Sequence, residues 1–308
     1  MRLTLLSTAS AVAVLACIGP AAANGEFSGF GQLHIGIGDA RTGFFPGKGS
    51  SIEDPLIYGA EARGYWPLSP DVHFQADLFI QQTDDLLISD TDTTEFGAAI
   101  HVLHPFEDRG RFGIAGSLWN NETFDFGAFG SSDTTYALVA LEGQFFGDNW
   151  TGTAQAGLFG DFSCDGGPGD HCLFSLEEGE FIRGKLRYFL HDNTVFNLEV
   201  VRMWGATDDE LFGGKSLSVD YVLWAFEAEH RFERSQFSAF VNLSHEETEV
   251  NFLFTADATV NTLMIGLRYY CDEPTLRTFD RTGAELYTPR FGYAPELLGL
   301  ASEVVPLP

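Results

Sequence analysis

Three basic residues at alternate positions are the strongest chemical signal in this sequence. Arg183, Lys185 and Arg187 would share one face of a strand, because successive side chains of a strand point to opposite sides. Their side chains would then stack about 7 Å apart, given a rise of about 3.4 Å per residue. Like charges at that spacing repel each other unless water or carboxylates intervene. The pattern therefore predicts a polar surface that can select solutes by charge.

Carboxylates and two further arginines follow the same alternation in other predicted strands. Charges inside a closed protein are tolerated only beside water or an opposite charge. Two interpretations follow: a hydrated pore with acidic and basic walls, or a plugged interior in which the same residues pair structurally. We favour the pore and predict that the basic ladder lines it together with Glu61, Arg63, Asp77, Glu95, Glu142, Glu199 and Arg268.

No constellation typical of a catalytic site occurs in the sequence. There is no Gly-x-Ser-x-Gly, His-Glu-x-x-His or phosphate-binding glycine motif. Ser244 and His245 are adjacent, so on a strand they point to opposite faces and cannot pair. His101 and His104 also face opposite ways, and we expect them to cap a rim. We predict a protein that is not an enzyme and has no cofactor or metal site; a lipid-modifying barrel enzyme is a disfavoured alternative.

The first residues resemble a secretory signal peptide. Met1-Arg2 supplies a positive start, Leu3 to Ala16 is apolar or small, and Ala21 to Ala23 offers a cleavage site. We therefore assign residues 1–23 to a signal peptide. In an alternative interpretation, Val14 to Cys17 is a lipoprotein signal that would leave Cys17 lipidated, but ordinary cleavage is favoured.

Composition narrows the class of protein further. The chain has 44 acidic and 17 basic residues and a net charge of −27, which argues against binding nucleic acid. Its 34 glycines and 14% aromatic residues favour an all-β fold. Acidic runs between the predicted strands could bind divalent cations, although a solvated surface is favoured.

Two cysteines flank a turn-rich segment in the middle of the chain. Cys164 and Cys172 enclose Asp-Gly-Gly-Pro-Gly-Asp-His. In an oxidising compartment we predict a disulfide between them. Free thiols are the alternative, and the spacing matches no zinc pattern.

Alternating apolar and polar residues recur from Phe27 to Tyr270 and predict about twelve strands. In the tenth, the apolar face switches before Val222, which predicts a bulge. The segments are 26–38, 55–67, 71–82, 93–104, 110–120, 134–146, 149–162, 179–190, 194–205, 216–230, 235–247 and 259–271.

Short and long connections alternate between these segments, and aromatic residues gather near the strand ends. In these respects residues 24–271 resemble a Gram-negative outer-membrane β-barrel of the porin-like or channel-like kind. The resemblance implies an all-β, closed antiparallel transmembrane barrel with long extracellular loops and short periplasmic turns. A large secreted β-sandwich is the alternative. Residues 272–308 would form a C-terminal periplasmic tail.

The expected function is a passive channel for small hydrophilic solutes in a bacterial outer membrane. A structural or adhesive surface barrel without transport is the alternative. The expected partners are outer-membrane lipid and small hydrophilic solutes, with a homo-oligomer left open and nucleic acid excluded.

Overall fold

The computed structural model describes residues 27–43, 51–84, 92–124, 132–165, 178–207, 217–251, 255–271 and 274–289. Twelve long antiparallel strands and one short strand form a single sheet. The strands are β1 (Ser28–Gly43), β2 (Ser51–Glu53), β3 (Leu56–Ser69), β4 (Val72–Asp84), β5 (Asp92–Phe106), β6 (Gly110–Phe124), β7 (Ser132–Phe146), β8 (Trp150–Asp165), β9 (Glu178–His191), β10 (Thr194–Thr207), β11 (Leu217–Arg231), β12 (Phe237–Asn251) and β13 (Thr255–Cys271). A 3₁₀ turn (Glu107–Arg109) and a helix, α1 (Leu276–Thr282), complete the described elements.

The sheet closes on itself because the first and last long strands pair. Gly29 on β1 lies opposite Cys271 on β13, and the pairing continues to Gly43 opposite Asp257. Each long strand also pairs with its neighbours in chain order, and β2 pairs with the end of β1. Closure leaves the twelve long strands without a free edge. The predicted fold, a closed antiparallel β-barrel of about twelve strands, is confirmed.

The outer surface of the barrel is apolar. Ile35, Leu141 and Ile182 keep 50%, 69% and 51% of their surface exposed, and similar residues follow on the other long strands. A continuous sheet that satisfies its backbone hydrogen bonds and presents apolar side chains outward is suited to lipid. Polar side chains alternate with these residues and point into the lumen, as the period of two requires.

The predicted bulge in the tenth segment is wrong. β11 pairs with β10 and β12 without a register shift, so its alternation is unbroken. Trp224 and Phe226 face outward, whereas Val219 and Tyr221 face inward and are buried. Apolar residues occur on both faces here because part of the lumen is itself apolar. This part, the upper cluster, contains Ala115, Trp119, Tyr136, Leu138, Ala140, Phe159, Phe181, Met203, Val219 and Tyr221.

The upper cluster lies toward the rim that carries the long connections, and the opposite end is the short-turn rim. At the short-turn rim the chain folds back after β13. Thr275 caps α1 by accepting a hydrogen bond from the Thr278 amide, and Arg277 pairs with Asp192 at 3.2 Å. Arg281 donates to the carbonyl of Asp148 at 3.0 Å. These contacts tie α1 to the turns before β8 and β10.

No helix in the described ranges is long and apolar enough to cross a membrane.

Candidate functional site

All ten residues predicted to line a pore face the interior of the barrel. Six of them border a cavity of about 190 Å³: Glu61, Arg63, Glu95, Lys185, Glu199 and Arg268. Asp77, Glu142, Arg183 and Arg187 are also buried inside the barrel but do not border this cavity. That these residues line an open pore stays a prediction.

Residues 276–289, here called the tail segment, occupy the short-turn half of the lumen. Leu276 and Phe279 are fully buried, and the Phe279 ring centre lies 4.7 Å from that of Tyr270 and 5.9 Å from that of Phe30. Each such apolar side chain contributes roughly 1.5–3 kcal/mol when fully buried. The lower cluster that they form contains Phe30, Tyr65, Leu103, Phe189, Val195, Tyr270, Leu276, Phe279, Ala284 and Leu286. Its wall members come from β1, β3, β5, β9, β10 and β13, so the tail segment touches walls on both sides of the lumen.

Wall side chains satisfy the carbonyl groups of the tail segment beyond α1. Arg183 donates to the Tyr287 carbonyl at 2.9 Å, and Gln155 donates to the same oxygen at 3.0 Å. Arg63 donates to the Leu286 carbonyl at 3.3 Å. A buried carbonyl without a hydrogen bond would cost about 1–3 kcal/mol. The lumen wall therefore acts as the hydrogen-bonding partner that an irregular segment needs inside a barrel.

Arg187 is neutralised by carboxylates of the tail segment. Its Nη1 lies 3.1 Å from Asp280 Oδ1 and also pairs with Glu285. Thr151 on β8 donates its hydroxyl to the Asp280 carboxylate. Burial raises the pKa of Asp280, and Arg187 only partly opposes this. The pKa of Glu285 lies below its usual range, because the opposite effect of burial is outweighed by the positive charges of Arg187 and Lys185.

The other members of the ladder have different partners. Arg183 donates to Glu199 on β10 at 2.6 Å, and its guanidinium carbon lies 3.6 Å from the centre of the Tyr287 ring. Tyr287 in turn donates its hydroxyl to Glu199. Lys185 Nζ lies 5.0 Å from the centre of the same ring. The repulsion expected within the ladder is thus offset by one wall carboxylate, two tail carboxylates and one aromatic ring.

His101 bridges two of the predicted pore acids. Its Nε2 lies 3.2 Å from Asp77 Oδ2 and its Nδ1 lies 2.9 Å from Glu142 Oε1, and the residue is fully buried. The expectation that His101 caps a rim is therefore wrong, whereas His104 does bond to the Asp71 carbonyl at the short-turn rim. No group of three or more His, Cys, Asp or Glu residues in the described ranges could hold a metal ion.

Arg268 on β13 is neutralised within the wall. It pairs with Glu227 at 2.8 Å and with Glu229, both on β11. Glu229 also accepts a hydrogen bond from the Tyr270 hydroxyl at 2.7 Å. Arg63 and Glu61 form a second wall pair, on alternate positions of β3.

Sequence reasoning missed the contribution of the tail segment. Asp280, Glu285 and Tyr287 follow the last strand, in residues that we expected to form a periplasmic tail without a role in the lumen. A usable signal was present: Leu276 and Phe279 are three residues apart, directly after a Thr cap, which is typical of a short helix with one apolar face.

The predicted disulfide lies outside the described residues. Cys164 falls within β8, but neither its side chain nor Cys172 is described. Half of the acidic residues considered for divalent cations, such as Asp208 to Glu210, also lie outside these ranges, whereas others, such as Glu246 and Glu249, lie on β12. Both expectations stay predictions.

Comparison with known proteins bears on the fold. No known family model and no curated protein matches this sequence. An outer-membrane channel from Pseudomonas putida F1 has a similar structure, with a TM-score of 0.56 at 10% identity over 82% of this chain and 98% of that one. The translocator domain of the autotransporter NalP from Neisseria meningitidis matches with a TM-score of 0.45 at 11% identity, over 87% and 97% of the two chains.

The likeness to the Pseudomonas putida channel is one of fold, given the low identity. It agrees with the closed sheet and the apolar outer surface described above. The predicted resemblance to outer-membrane β-barrels is confirmed at the level of the fold: the chain is a closed antiparallel barrel with an apolar outer surface suited to lipid.

Proposed function

We propose that this chain is a passive outer-membrane channel for small hydrophilic solutes whose lumen is closed at the short-turn end by its own tail segment. The observation that carries this proposal is the cavity inside the barrel, bordered by charged wall residues and by Glu285, Tyr287 and Pro289 of the tail segment. Buried space lined by charges of both signs favours water and polar solutes.

The way in which the tail segment is attached supports a movable closure. It contacts the wall through side chains and through hydrogen bonds to its own carbonyls, and it is not one of the paired strands of the sheet. It can therefore leave the lumen without breaking the strand ladder that holds the barrel closed. The short-turn half of the lumen would then open to solvent.

A structural or adhesive barrel without transport is the second candidate. The full burial of Leu276 and Phe279 and the pairing of most lumen charges favour it, since both are expected of a permanently filled interior. In either case outer-membrane lipid would cover the apolar band. We also propose a homo-oligomer, and divalent cations bound at the acidic runs, as further partners.

Single-channel recording in planar bilayers separates the two candidates. The variant L276A/F279A removes the apolar anchors of the tail segment, each substitution costing about 2–5 kcal/mol of docking. We expect rare discrete openings from the natural chain and frequent ones from this variant. Met203→Ala, in the upper cluster, is the matched control and should open as rarely as the natural chain. A folded L276A/F279A barrel without discrete current steps would reject the channel and favour the structural role.

A further inference from the structure

Two cations of the ladder have no ion-pair partner on the barrel wall within the described ranges. Arg187 forms its ion pairs with Asp280 and Glu285 of the tail segment. Lys185 forms no ion pair in the part of the chain that the structure describes, and its ammonium faces the Tyr287 ring and the cavity. Within the described ranges these two cations form no ion pair with another wall residue, and the carboxylates that pair with Arg187 belong to the tail segment.

The strand register explains this surplus. Arg187 lies opposite Thr151 on β8 and Asn197 on β10, and both neighbours are neutral. Glu199, the nearest acid along β10, is engaged by Arg183 at 2.6 Å and by the Tyr287 hydroxyl. The carboxylates that Arg187 needs must therefore come from inside the lumen rather than from the adjacent strands.

From this arrangement we infer that the tail segment occupies a carboxylate-binding site and that the solutes of this site are small dicarboxylates. This inference rests on the proposed function, of which it names the solute class. Asp280 and Glu285 hold the positions that the two carboxylates of such a solute take when the tail segment leaves. Arg187 then binds one carboxylate of the solute and Lys185 binds the other, each through a charge-assisted hydrogen bond.

Three of the wall acids that border the cavity are balanced locally by an arginine: Glu61 by Arg63, Glu199 by Arg183 and Glu227 by Arg268. Glu95 and Glu246 border the cavity as well, and Glu246 accepts a hydrogen bond from the Tyr221 hydroxyl at 3.0 Å. A solute that is only cationic would have to compete with those arginines. A dicarboxylate would instead pair with Lys185 and Arg187, which form no ion pair with a wall residue in the described ranges.

The cavity has suitable room and polarity. Its volume of about 190 Å³ corresponds to roughly six water molecules at about 30 Å³ each. The cavity borders Lys185 but not Arg187, and Glu285 lies between the cavity and Arg187. When Glu285 leaves with the tail segment, the joined space accommodates a short carbon chain with a carboxylate at each end. Asn197 Oδ1 and Thr262 Oγ1 border the cavity, are buried, and make no hydrogen bond to any described residue. The Thr262 hydroxyl can donate a hydrogen bond to a carboxylate of such a solute, whereas Asn197 Oδ1 accepts only and suits a bound water.

Calorimetric titration of the purified full-length protein with succinate tests the inference. The variant D280N/E285Q weakens the competing tail segment, so we expect it to bind succinate at least tenfold more tightly than the natural chain. Adding Lys185→Gln to that variant should lower the affinity at least tenfold. Acetate and putrescine should bind at least tenfold more weakly than succinate. Asp220→Asn, an exposed acid on the outer face, is the matched control and should leave succinate binding unchanged.

A second measurement tests the inference even if the variant D280N/E285Q/K185Q does not fold. Succinate and the tail segment compete, so succinate should speed tryptic cleavage after Arg277 and Arg281 in the natural chain, and Lys185→Gln alone should abolish that effect. The inference is overturned if D280N/E285Q binds succinate no more tightly than the natural chain, or if acetate binds as tightly. Neither measurement requires conduction, so discrete current steps without succinate binding would retain the channel and reject only the solute class.

Discussion

Two buried arginines of the lumen wall are neutralised in opposite ways. Arg268 on β13 finds Glu227 and Glu229 on β11, within the same sheet. Arg187 on β9 finds Asp280 and Glu285 on the tail segment, which is not a strand of that sheet. Both arginines are largely shielded from solvent, so each needs a carboxylate nearby.

The difference lies in what can move. The partners of Arg268 cannot leave without breaking strand pairing, so that pair belongs to the permanent structure of the barrel. The partners of Arg187 lie on a segment outside the strand ladder, and in the proposed channel they exchange with solvent or solute. We therefore propose that the same chemistry serves stability at one site and a reversible closure at the other.

Removing the wall carboxylates should produce the largest effect. In E227Q/E229Q the Arg268 guanidinium stays buried without a counter-charge, so we expect the free energy of unfolding of the barrel to fall by about 3–5 kcal/mol. Denaturant unfolding in detergent measures this loss. The tail segment should stay docked, as judged by unchanged tryptic cleavage after Arg277. Release of the tail segment in this variant would contradict the proposed separation of the two sites.

One buried side chain in each of the upper and lower clusters tests the same difference between the barrel wall and the tail segment. Met203→Ala removes a buried side chain of the upper cluster and should lower barrel stability by about 2–5 kcal/mol. Phe279→Ala, in the lower cluster, should instead leave the unfolding midpoint of the barrel nearly unchanged and expose the tail segment to trypsin. If Phe279→Ala lowers barrel stability as much as Met203→Ala does, the tail segment is an integral part of the barrel core.

Acidification should have the smallest effect. Glu285 has a lowered pKa in the docked tail segment, so its contribution to docking is lost only when the pH falls through that lowered pKa. Burial and the neighbouring Glu285 carboxylate raise the pKa of Asp280, so protonation of Asp280 does not weaken docking as the pH falls while Glu285 stays ionised on Arg187. We therefore expect no increase in tryptic cleavage after Arg281 between pH 7 and pH 5. Faster cleavage at pH 5, against a peptide control that corrects for the activity of trypsin, would show that another group controls docking.

The twelve strands were predictable because their signal is local. A period of two between apolar and polar residues can be recognised within about ten positions, and it correctly predicted which charged residues of β3, β4 and β9 face inward. The strands extend a few residues further than predicted at the rim with the long connections, where polar residues interrupt the apolar face. At β11 the local pattern wrongly predicted a bulge, because Val219 and Tyr221 belong to an apolar lumen surface that other strands help to form.

The barrel fold and the residues that face its lumen could be predicted from the sequence, since side-chain direction in a strand follows from backbone geometry alone. Which of those charges pair within the wall, and which pair with the tail segment, depends on the three-dimensional structure. Arg187 and Asp280 are far apart in the chain, and their contact depends on the register of β9 and on the path of the tail segment. Ion pairing depends on distance in space, and no spacing along the sequence records that distance.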